Sequence, residues 1–159
     1  MWQNLMDILD KICAVYDKLA EIEERKHNAL VVIDMDSLAK ILDEEQLAAS
    51  KIQNLERKRG KIYQELAKNI RVNETTKAED LYKNAPSLAV EKRLLRLHKQ
   101  LSKSVDNATK LRDNNQILAQ SALNAVQYHL NRLSGATVDQ NYSANGANVT
   151  HQKKFDYKA

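Results

Sequence analysis

From Leu5 to Leu133, apart from a polar gap around 72–86, apolar side chains return every three or four residues, and that stretch holds one glycine, Gly60, and one proline, Pro86. A period near 3.6 buries one face of a helix. A chain so poor in glycine has few cheap routes to positive φ, and so few tight loops for an α/β fold. The pattern therefore predicts an all-α protein: an elongated antiparallel helical bundle or coiled coil of three long helices, with a flexible C-terminal tail. Residues 1–133 read as the bundle and 134–159 as the tail.

The first helix is predicted from Trp2 to Ala29 or Val32, with Leu5, Leu9, Ile12, Tyr16, Leu19 and Ile22 on its buried stripe. Val31-Val32-Ile33 loosens the helix, because β-branched side chains lose rotamer freedom there. Asp34 and Asp36 are both good N-caps, so a turn precedes a second helix starting near Asp36 and reaching about Ile70. Its stripe runs through Leu38, Ile41 or Leu42, Ala48 or Ala49, Ile52, Leu55, Arg59, Ile62, Leu66 and Ile70. Gly60 lies inside it, as a bend, a close approach or simple tolerance. A short helix around 77–84 is anchored by Leu81 and Tyr82. The third long helix is expected from about Pro86 to Leu133, with Leu88, Leu94 or Leu95, His98, Leu101, Val105, Ala108, Leu111 or Arg112, Asn115, Leu118 or Ala119, Ala122, Val126 and Leu130 or Leu133 turned inward. Gly135 suits its left-handed end. Asn114-Asn115 interrupts that stripe, and a buried Asn there would fix register, because its amide must find a partner.

Charge is uneven. Residues 1–36 hold eight acids against four bases, 37–71 five against eight, and 72–133 six against ten. The basic cluster Arg57-Lys58-Arg59 with Lys61 is expected to pair with the acidic first helix. Bases alternate with acids and lack interleaved aromatics, which argues against nucleic acid. Paired carboxylates such as Glu23-Glu24 read as solvated helix faces.

Chemistry-bearing motifs are missing. There is no phosphate loop and no nucleophile elbow. Inward-facing Glu-x-x-His pairs, which a metal-carrying four-helix bundle needs, are not expected. Cys13 reads as a buried helical cysteine. No cofactor or metal is expected, and the chain does not read as an enzyme. No run approaches the ~18 apolar residues of a membrane span, and Met1-Trp2-Gln3-Asn4 lacks the basic start of a signal peptide. Both point to the cytoplasm. Residues 136–159 are rich in Asn, Ser, Gln and Thr and carry isolated anchors at Tyr142, Phe155 and Tyr157. Such a segment orders only against a partner.

Several places together carry a resemblance. They are Ala29-Leu30 with Asp36-Ser37-Leu38, Leu42-x-x-Glu45, Leu55-Glu56-x-x-Arg59, and Leu111 with Asn114-Asn115 before Leu118. At the end come Leu130-x-x-Leu133, Gly135, Tyr142-Ser143-Ala144-Asn145-Gly146 and Phe155-Asp156-Tyr157-Lys158-Ala159. In this order they resemble the FlgN family of flagellar type III export chaperones. The resemblance implies a cytoplasmic escort that binds the terminal helices of the flagellar hook-associated (hook–filament junction) proteins and delivers them to the export gate. It implies client binding in the C-terminal part, assigned to Leu118, Ala122, Leu123, Val126, Leu130, Leu133, Phe155 and Tyr157. It implies docking on the cytoplasmic domain of the gate through a tail tyrosine, Tyr142 being the best match, with Gly146 beside it. A homodimer is compatible with the same stripes. The rival readings are a coiled-coil adaptor of another bacterial assembly and a helical nucleic-acid-associated protein.

Overall fold

The structure is a computed structural model that describes residues 1–73 and 75–135. It contains α1 (Trp2–Val32), α2 (Met35–Ile70), α3 (Ala78–Tyr82) and α4 (Leu88–Ser134), and no strand occurs among the described residues. Among the described residues the fold is an all-α helical bundle of four helices. The chain divides into two units, Met1–Asn115 and Gln116–Ala159.

In the first unit α1 is covered from two sides. Arg25 donates to both carboxylate oxygens of Glu44 at 2.7 and 2.8 Å, and Lys26 meets Glu45 at 2.6 Å. Asn69, near the end of α2, lies against Met1. The end of α1 thus faces the start of α2, and the two run antiparallel. Against α4, Arg93 pairs with Asp10, the Cys13 thiol approaches the Leu97 carbonyl, and the Ser104 hydroxyl donates to Asp17 at 2.6 Å. Numbers rise together along these two helices, so α1 and α4 are parallel. That follows from a chain that goes up, down and up again.

Two covered sides explain why α1 buries more than the single stripe expected. Leu5, Leu9, Ile12 and Ile22 are buried, and so are Met6, Ile8, Cys13, Val15 and Ala20. Tyr16 and Leu19 pack half-buried against this core. Among the described residues no ion pair joins Arg57, Lys58, Arg59 or Lys61 to α1, although Lys58 and Lys61 line one cavity with Asp7 of that helix. Antiparallel packing instead sets the bases near the end of α1 beside the acids Glu44 and Glu45 of α2. Arg59 turns to Glu56 and Arg57 to Asn54 on their own helix.

The α1–α2 turn is made by Ile33 in the left-handed region (φ 56°). A β-branched residue there costs roughly 1–2 kcal/mol. The Asp34 N–H bonds back to the Ala29 carbonyl at 3.0 Å. Asp34 then caps α2, accepting from the Ser37 N–H at 3.0 Å and from its hydroxyl at 2.6 Å. The segment 29–32 belongs to α1. In α3, Leu81 and Tyr82 are buried. The Tyr82 ring meets His98 edge-on with centroids 6.0 Å apart, and burial pushes its phenol up to about 12.

α4 begins two residues later than Pro86. The Ser87 hydroxyl accepts from the Val90 N–H at 3.3 Å and so caps the helix, which leaves the proline outside it. Its buried row is Leu94, Leu97, Leu101, Ser104, Ala108 and Asn115. Leu88 and Leu95 fall outside that three-four register and are exposed. Val126, Leu130 and Leu133, expected inward, are exposed as well. Gly135 closes the helix at φ 68°.

Gly60 is the bland case. A methyl group added there meets nothing within 4 Å. Gly60→Ala should therefore stabilise the protein by about 1 kcal/mol, the helix-propensity difference, raising the midpoint in urea. No change would mean that the glycine serves a bend.

Candidate client-binding site

The heptad steps of α1 lead to an unexpected place. Continuing Leu5, Leu9, Ile12, Tyr16 and Leu19 by alternate threes and fours arrives at Glu23, Lys26 and Leu30. The first of these is fully buried, at 0% exposure. Glu23 is therefore not part of a solvated face, although Glu24 is exposed. An ionised carboxylate in such a place needs donors. Asn115 of α4 provides them: its Nδ2 donates to the Glu23 carbonyl at 2.7 Å and to Glu23 Oε2 at 2.8 Å. With Nδ2 so engaged, Asn115 Oδ1 is the acceptor, 3.2 Å from His27 Nδ1. Lys26 lies 3.9 Å from Glu23 Oε2, while its closer partner is Glu45. Glu23 Oε1 is buried without a hydrogen-bond partner.

The structure thus places Asn115 at 1% exposure and Asn114 on the outer face. The network ties α1 to the last buried position of α4 in the first unit. Burial raises the Glu23 carboxyl above the ordinary glutamate range. Asn115 and Lys26 oppose this, and Glu45 adds to it.

The sign follows from that direction. Below about pH 4.3, the unfolded glutamate value, both states hold the proton and the contribution is complete. As pH rises towards the folded value the unfolded chain ionises first, and stability is lost. Glu23→Gln keeps an acceptor for Asn115 and cannot ionise. Subtracting its urea stability from wild type across pH 4–8 should leave wild type progressively less stable towards neutrality. A flat difference would contradict a raised Glu23.

From Gln116 the second unit carries a different surface. Leu123, Val126, Leu130 and Leu133 recur at three and four residues and so share one face of α4. All four are exposed, from 52% at Val126 to 85% at Leu133. Ile117 and Tyr128 are exposed too, whereas Leu118 and Ala122 are half-buried. Exposed contiguous apolar surface of this kind makes the face a candidate interaction site. Of the residues assigned to clients, the helix therefore gathers four on one open face, with Leu118 and Ala122 beside it. Phe155 and Tyr157, and the gate residues Tyr142 and Gly146, lie outside the described residues.

Catalytic constellations are a poor match to this surface. Among the described residues no group of three or more His, Cys, Asp or Glu could hold a metal ion. Glu24 and His27 have Glu-x-x-His spacing but are both exposed. Among the described residues no helix is long and apolar enough to cross a membrane.

Sequence reasoning missed Glu23, Lys26 and Glu45. The signal was present in the strict heptad, which runs through Glu23 rather than Ile22. Over residues 1–150 the sequence matches the family described as FlgN protein. No match was found among curated proteins or among solved structures.

Proposed function

Because the chain belongs to the FlgN family, whose members are non-catalytic export chaperones for the flagellar hook–filament junction proteins, we propose how its residues divide that work. Residues 1–133 form the cytoplasmic helical scaffold, and 134–159 form a tail that folds onto partners. Clients are held by the face bearing Leu118, Ala122, Leu123, Val126, Leu130 and Leu133, completed by Phe155 and Tyr157. Their terminal amphipathic helices lay an apolar stripe against this one. The observation that carries the reading is the row of leucines and valine left exposed on α4. Soluble chains seldom leave such a row open without a partner to cover it. Ala119, Ala122 and Ala125 allow a guest helix to come close.

Ordering a segment on binding lowers net affinity, which helps the client leave at the gate. Tyr142 and Gly146 dock on the cytoplasmic domain of the export gate, so capture and delivery use different tail residues. The scaffold acts as one chain, with a homodimer as the competing arrangement of the same stripes.

Two purified partners test the division. Tyr142→Ala should abolish binding to the gate domain in calorimetry while leaving a hook-associated protein bound as before. Phe155→Ala/Tyr157→Ala should do the reverse. Parallel losses in both variants would overturn the assignment.

A further inference from the structure

The first unit has an open groove that neither the client face nor the buried network uses. Its walls come from α1 and α2, and it measures about 560 Å³. Val15, Ile22, Ala48 and Leu55 form an apolar floor, and the 71%-exposed Leu47 stands on the rim. Three lysines, Lys11, Lys18 and Lys51, surround that floor; Lys18 is paired with Glu21 of its own helix at 2.9 Å, which leaves Lys11 and Lys51 to set the charge of the rim. The single acid in the lining, Glu44, is already neutralised by two bonds from Arg25.

The wall residues recur at three and four along both helices, so the groove runs parallel to them. From Lys11 to Ile22, and from Glu44 to Leu55, each wall is about 16 Å long. That matches three turns of a helix laid alongside. Charge then selects the occupant. The chain's own 136–159 segment carries three lysines against two acids, so it meets like charge at the rim. In a second copy the acidic helix α1 has its apolar face buried.

We propose that the α1–α2 groove docks an acidic amphipathic helix of a partner protein, with leucine-like side chains on the floor and carboxylates facing Lys11 and Lys51. This contact is separate from the α4 client face.

The probe is a synthetic helical peptide of four to five turns, with leucines at three-four spacing flanked by glutamates. A twin carries lysines instead. Fluorescence anisotropy with the full chain should show the glutamate peptide binding at least tenfold tighter, an advantage that shrinks in high salt. Lys11→Glu/Lys51→Glu should invert the preference. Leu47→Gln should weaken the glutamate peptide at least fivefold with unchanged melting, since Leu47 is exposed. Leu123→Gln/Leu130→Gln/Leu133→Gln should leave that peptide bound. Equal affinity for the two peptides, or loss of binding in the α4 variant instead of Leu47→Gln, would overturn the proposal. So would a dimer in sedimentation that Leu47→Gln dissolves, or altered hydrogen exchange in 136–159 of that variant.

Discussion

Asn115→Leu should cost about 2–3 kcal/mol, although leucine and asparagine are close in size and the site is buried. The cost comes from what is left behind. Asn115 supplies both the bond to Glu23 Oε2 and the bond to the Glu23 carbonyl. Without it a buried carboxylate loses its donor, a loss worth about 1–3 kcal/mol, while the Glu23 carbonyl, inside α1, keeps its helical bond. For a chain of this size the melting midpoint should fall by roughly 10 °C. The double variant Glu23→Leu/Asn115→Leu removes the stranded carboxylate as well as its donor. It should recover most of the loss, because an apolar pair of similar volume often replaces a buried polar pair at little cost. The coupling from the double-mutant cycle then reads the interaction itself. A double variant as unstable as the sum of the singles would mean that Glu23 and Asn115 do not act as a pair.

The second large effect concerns binding alone. Leu123→Gln/Leu130→Gln/Leu133→Gln should weaken a hook-associated protein at least a hundredfold and leave the melting curve within about 1 kcal/mol of wild type. Glutamine keeps nearly the helix propensity of leucine. The three leucines are exposed, with Leu133 at 85%, so little folded-state burial is lost. In a complex each leucine covered by a client helix contributes about 1.5–3 kcal/mol. Loss of about 2.7 kcal/mol already makes a hundredfold change. Equal weakening of stability and binding would indicate a folding defect, and unchanged affinity would place the client elsewhere.

Much of this was legible in the residues. Three-four spacing located the four helices to within a few positions, because periodicity reports the side that water does not reach. Asp34 and Asp36 were equally readable as caps, since either short carboxylate has a local donor; Asp34 is the one used, and α2 starts at Met35 rather than near Asp36. Ser87 was passed over for Pro86, since proline sits equally well inside or just before a first turn. The parallel pairing of α1 with α4 and the width of the buried face of α1 depend on which neighbours cover it, and no local pattern encodes that. Glu23 shows the limit most plainly. Its type says surface and its register says core. The register prevailed because a partner 92 residues away supplies an amide to satisfy it. The outward direction of Val126, Leu130 and Leu133 was misread for the opposite reason. An apolar stripe looks the same in sequence whether its partner is in the chain or not.

Hydrogen exchange by mass spectrometry on the full chain, with and without a purified hook-associated protein, tests the division of labour most directly. Saturating client should protect peptides covering 118–133 and 142–159 at least tenfold and leave those of α1 and α2 unchanged. New protection confined to α1 and α2, with none from 118 onward, would contradict it.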